Sequence, residues 1–103
     1  MIKVSFTQTF RRHLREIRDY IAQESTFQSR RVVVEILRTV RRLLDFPEIG
    51  AYIPEMKTRR YREIHVFNYR IIYRFLKKTN EVRVVAVVHA ARHLSHKFFH
   101  EFE

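Results

Sequence analysis

The run HAARHLSHKFFHEFE, from His89 to Glu103, places four of the chain's six histidines beside Arg92 and Lys97. Imidazoles at this spacing suggest two chemistries. His89, His93 and His96 lie four and three residues apart, a separation that metal ligands use. No thiol or suitably placed carboxylate completes the set, however, and the basic neighbours repel a cation, so no metal or other cofactor is expected. General acid or base work suits a histidine among arginines better, because its pKa starts near neutrality and adjacent positive charge lowers it. The plain alternative for each is a solvated surface imidazole.

A second set of candidates lies upstream, in YRIIYRFL (69–76). Strand alternation puts Tyr69, Ile71, Tyr73 and Phe75 on one face and Arg70, Ile72, Arg74 and Leu76 on the other. Arginines sharing a face with aliphatics must reach solvent, pair with an acid or line a groove. With Arg59, Arg60 and Arg62 just upstream and Arg83 on the next strand, a basic concave sheet face is the expectation. Such a face suits phosphates or carboxylates, which guanidinium groups bind in bidentate fashion.

The elements that would position these residues follow from periodicity. IKVSF alternates as a short half-buried strand from Ile2 to Phe6. Thr7 or Thr9 can cap a helix whose stripe is Phe10, Leu14, Ile17 and Ile21, running to about Gln23. After the cap-forming ESTFQS, a second stripe of Val33, Ile36, Leu37, Val40 and Leu44 predicts an antiparallel partner helix ending near Phe46, before Pro47. DFPEIGAYIPE reads as one loop lasting to about Lys57. Three strands complete the chain: RYREIHV, YRIIYRFL and VRVVAVVHA. The turn KKTNE lets Asn80 go left-handed, and the last strand is apolar enough to be covered on both faces. Phe98, Phe99 and Phe102 form a short stripe that either docks on the core or meets a partner. The predicted fold is α+β: a strand, an antiparallel helical hairpin, then a three-stranded antiparallel meander, with the helices on one face of the sheet.

Composition narrows the partner. The 103 residues fit a single domain spanning 1–103, and Lys plus Arg outnumber Asp plus Glu by 21 to 11, which points to an anionic partner. The absence of cysteine excludes disulfides and thiolate metal sites and suits a reducing cytoplasm. No apolar run is long enough to span a membrane, and the first residues lack the apolar core of a secretion signal, so a cytoplasmic protein with no membrane partner is expected. The only glycine is Gly50, which rules out a glycine-rich phosphate loop, and there is no nucleophile elbow.

The segments YREIHVFNYRIIYRF and VVAVVHAARHL, in this order after a helical hairpin, resemble the RelE/ParE superfamily of toxins from toxin–antitoxin modules. The resemblance covers nearly the whole chain and implies a small basic toxin held inactive by a cognate antitoxin. It also implies one of two targets. RelE-like members are ribosome-dependent mRNA endonucleases, and on that reading Arg70, Arg92, His89 and His93 would be the catalytic candidates. Glu63 and His65 stand where RelE-like proteins carry paired lysines, and Phe98 and Phe99 stand where a tyrosine is expected. ParE-like members bind and trap DNA gyrase. The segment VVHAARH favours that branch, with Arg62, Arg70, Arg74, Arg92 and His93 as target-binding residues. A simple nucleic-acid binder is a third class, for which the sequence offers no recognition helix.

Overall fold

The computed structural model describes all 103 residues. Its order is β1 (Lys3–Phe6), α1 (Gln8–Ala22), α2 (Thr26–Arg42), β2 (Ala51–Tyr52), β3 (Arg62–Val66), β4 (Tyr69–Leu76) and β5 (Glu81–His89), followed by a 3₁₀ segment, His96–Phe102. The strands form one sheet in the order β1-β5-β4-β3-β2, with β1 parallel to β5 and the remaining pairs antiparallel. The predicted α+β arrangement is present, with the meander β3-β4-β5 at its centre and the helical hairpin on one face.

Local chemistry sets the helix ends. Thr7 Oγ1 accepts the Phe10 amide and Ser25 Oγ accepts that of Gln28, so both helices begin on side-chain caps. The first stripe packs as expected through Phe10, Leu14 and Ile17. The second differs. Ile36, Val40 and Leu43 are buried, whereas Leu37 faces solvent. Helix α2 also stops at Arg42 and not near Phe46, because the amides of Leu43, Leu44 and Asp45 each bond three residues back and tighten the chain into turns.

The expected single loop contains a strand: Ala51 and Tyr52 pair with Glu63 and Arg62. Tyr73, fully buried on the helix side of the sheet, holds this segment in place. Its hydroxyl donates to the Pro47 carbonyl (2.9 Å) and accepts the Gly50 amide (2.9 Å). Burial of the ring also raises the phenol's pKa.

Strand β5 is buried on both faces, as its apolar run predicts. Ile72 pairs with Ala86 but Tyr73 with Val84, so Val85 is an inserted residue that resets the alternation. Val82, Val84 and Val87 consequently face the helices, while Val85, Ala86 and Val88 face the other side. That second side is not an open hollow. Ile53, Tyr61, Leu94 and Phe99 close over it, with Tyr61 and Phe99 rings 4.6 Å apart, so the phenylalanine stripe docks on the core. At the β4–β5 turn Asn80 is left-handed, with φ 51 and ψ 49.

Two substitutions test how tightly the 47–52 segment is pinned. A Cβ at Gly50 would lie 2.7 Å from the Glu63 carbonyl oxygen and 2.7 Å from the Tyr73 hydroxyl. Gly50→Ala and Tyr73→Phe should each cost about 1–3 kcal/mol, through overpacking and through lost buried hydrogen bonds respectively. Urea denaturation measures both; unchanged midpoints would mean the segment is not anchored.

Candidate functional site

The strand arginines do not form the expected basic face. Arg70 is 3% exposed. Its guanidinium donates to Glu55 (Nη1–Oε1 3.0 Å, and Nη2 to Oε2), to Glu63 Oε1 (2.8 Å) and to the Arg92 carbonyl (2.8 Å). Glu55 also accepts the Leu94 amide at 3.1 Å, and its carbonyl meets His96 Nε2 at 2.9 Å. The loop after β2, the strand pair and the C-terminal segment therefore converge on one buried charge cluster. Hydrogen bonding to Arg70 pulls the Glu55 carboxyl down from 4.5 to about 2, and the same bonds raise the pKa of Arg70.

The other predicted residues separate. Arg62 pairs across from Tyr73, on the face opposite Arg70, and its donors are taken by the carbonyls of Glu48 and Gly50 and the hydroxyl of Tyr52, over whose ring it stacks at 4.2 Å. Arg74 lies over Tyr61 at 5.7 Å, Arg83 pairs with Glu81, and Arg60 with Glu103. His89, His93 and His96 do not converge into a ligand set; His89 instead accepts the Ala91 amide (3.1 Å) and sits edge-on to Tyr69.

What does come together is a shallow cleft of about 320 Å³ lined by Arg70, Arg92 and His93, with Glu55, Glu63 and His65. Among the predicted residues there, only Arg92 and His93 are exposed. They occupy the turn that leaves β5, held by the Arg92 amide's bond to the His89 carbonyl (3.0 Å) and by the Arg92 carbonyl's bond to Arg70. Arg92 also lies over the Phe98 ring at 5.5 Å and lines a second cleft, of about 570 Å³, between α1 and the 3₁₀ segment.

The second cleft contains a residue that sequence reasoning missed. His13 is buried, its ring stacked beside Phe98, and Nδ1 accepts the Val87 amide in a long bond of 3.4 Å. Burial lowers its pKa, and Arg12 and Arg92 lower it further, so the ring is neutral at pH 7. The signal was its place three residues after Phe10, on the buried side of α1. With Thr7, whose hydroxyl donates to the Val85 carbonyl (2.7 Å), His13 satisfies the part of the β5 edge that β1 is too short to cover.

A family model described as the ParE toxin of the type II toxin–antitoxin system parDE matches residues 4–94. The chain belongs to this family. It is thus the toxin component of a type II toxin–antitoxin system, as the resemblance in its strand motifs implied. No curated protein sequence matches it. Among solved structures, it resembles the chromosomal ParDE system of P. aeruginosa, with a TM-score of 0.71 and 17% identity over 86% of this chain and 96% of that one. The RelBE2 toxin–antitoxin complex of Mycobacterium tuberculosis gives 0.66 and 20%, covering 85% and 96%. Isolated E. coli RelE gives 0.63 and 19%, covering 99% and 96%. These similarities establish the shared fold. No helix of this ParE-family toxin is long and apolar enough to cross a membrane.

The Glu55–Arg70 pair makes a pH prediction. A carboxyl depressed from 4.5 to about 2 stabilises the fold fully above pH 4.5, and that contribution, on the order of 3 kcal/mol, disappears as pH falls towards 2. Denaturation midpoints should drop steeply across this window. Glu55→Gln, which leaves Arg70 short of a charge partner, should lower stability at pH 7 by about 3–5 kcal/mol and flatten the dependence. Parallel pH curves for both proteins would refute the assignment.

Proposed function

We propose that this toxin acts by binding DNA gyrase and trapping it, without covalent chemistry of its own, and that a cognate antitoxin silences it by covering the helical hairpin. The observation that carries the first part is the state of Arg70. A nuclease of this fold would need sheet cations facing solvent to hold a scissile phosphate, whereas the Arg70 charge is buried and matched by Glu55 and Glu63. What the cleft offers to a partner is Arg92 and His93, side by side and exposed on a turn held from beneath. That arrangement suits recognition of an acidic protein surface. Arg74 and Arg62, engaged within the fold, act in this reading as supports.

The antitoxin reading rests on the outer surface of the hairpin. A groove of about 320 Å³ between α1 and α2 is lined by Ala22, Val33 and Val34 and rimmed by Arg18 and Arg30. Phe27, Val34 and Leu37 continue the apolar strip, at 75%, 43% and 42% exposure. An amphipathic helix with acidic flanks would cover the strip and offset part of the +10 charge. The solved neighbours from P. aeruginosa and M. tuberculosis are themselves toxin–antitoxin systems.

Purified toxin should inhibit gyrase supercoiling, and Arg92→Ala combined with His93→Ala should weaken inhibition about tenfold or more while leaving the unfolding midpoint in place. Site-specific cleavage of ribosome-bound mRNA with gyrase untouched would replace this reading with the nuclease one. Separately, Phe27→Ala should cost about 2 kcal/mol of affinity for the antitoxin encoded beside the toxin, roughly 30-fold in Kd by calorimetry. Unaltered affinity would place the antitoxin elsewhere.

A further inference from the structure

Most acids of the chain are engaged with nearby cations, yet 13 of the 21 Lys and Arg have no acidic partner, and one subset of these is clustered in space. Arg11, Arg15, Arg92 and Lys97 have no acidic partner, and Arg12 has only a loose 3.7 Å contact with Glu16 at the surface. Topology gathers these five at one end of the molecule. Arg12, Arg92 and Lys97 line the 570 Å³ cleft between α1 and the 3₁₀ segment, and Arg12 is shared with an adjoining cleft of about 360 Å³ lined by Gln8, Arg11 and Arg15. We propose that this continuous basic track binds the phosphodiester backbone of nucleic acid.

Three features favour phosphates over an acidic protein surface. The larger cleft has one apolar side chain, Phe98, in its lining, and the smaller has none, whereas the centre of a protein interface is apolar. The guanidinium groups of Arg11, Arg15 and Arg92 have no carboxylate partner, so their forked donors are free for bidentate contact with phosphate oxygens. His13 gives the cleft a neutral wall, since with Nδ1 accepting the Val87 amide its ring proton is on Nε2, which adds a donor. Glu16 and Glu101 keep their charge, so the two linings together hold five cations against two carboxylates, and the excess lies at Arg11, Arg15, Arg92 and Lys97. The track is separate from the apolar strip on the hairpin but shares Arg92 with the proposed gyrase-binding turn; the test below contains no gyrase, so its failure and the failure of that reading are distinguishable.

The test is fluorescence anisotropy of the purified toxin with a short duplex DNA and with RNA of the same sequence, across a salt series. The triple variant Arg12→Ala/Arg92→Ala/Lys97→Ala should bind about tenfold more weakly or worse and lower the salt slope by roughly 2 to 3, since each lost phosphate contact removes about 0.9. The control Arg41→Ala/Lys57→Ala/Lys78→Ala removes the same charge from exposed positions off the track and should leave binding within about twofold. Tighter binding of one probe would identify DNA or RNA as the source of the phosphates. Equal losses in the two triple variants would reduce the effect to net charge and overturn the inference, as would failure to bind either nucleic acid. Lys97→Glu, at an exposed position near the start of the 3₁₀ segment, repeats the test with a single change if the triple variant does not fold.

Discussion

Arg70 takes a full charge beneath the C-terminal segment, against a sheet face whose other buried members are aliphatic or aromatic. Removing an unpaired guanidinium from water would cost far more than a small domain can tolerate. Glu55 and Glu63 make it tolerable, and in doing so they fix three things together. Glu55 draws the chain after β2 across the sheet edge, Glu63 keeps the β3–β4 ladder in register, and the Arg92 carbonyl and Leu94 amide tie down the turn that leaves β5. Tyr61 and Phe99 can then seat on the face so enclosed. Arg92 and His93 owe their display to a charge that never reaches the surface.

This also explains where sequence reading succeeded and where it failed. Alternation in 69–76 correctly assigned Arg70 and Ile72 to one face and Ile71 and Tyr73 to the other, and the helical stripes were largely legible because spacing alone defines them. The fate of Arg70 was partly legible. In a hairpin turning at 67–68, Glu63 is the diagonal same-face neighbour of Arg70, so the residue noted as a departure from a lysine pair was a counter-ion. Glu55 was not, because it arrives from a loop whose path depends on tertiary contacts. Leu37 was misassigned for a similar reason: a hairpin outer face and a core face can both be apolar when a partner is to be bound.

The remaining surface divides by chemistry. The hairpin offers apolar area rimmed with arginine, the turn after β5 offers Arg92 and His93 on a rigid base, and the α1–tail end offers cations in excess of acids with almost no apolar area. A toxin with 21 basic residues need not use them uniformly. Local acids engage some and leave others free, so the acidic residues, though fewer, narrow the set of cations open to a partner.

Thr7 and His13 close the last part of the β5 margin with side chains instead of a neighbouring strand. An uncovered ladder on so apolar a strand would be a template for cross-molecule pairing and fibril growth. Stoppering it with a hydroxyl and an imidazole lets β1 remain four residues long while the molecule stays colloidally safe.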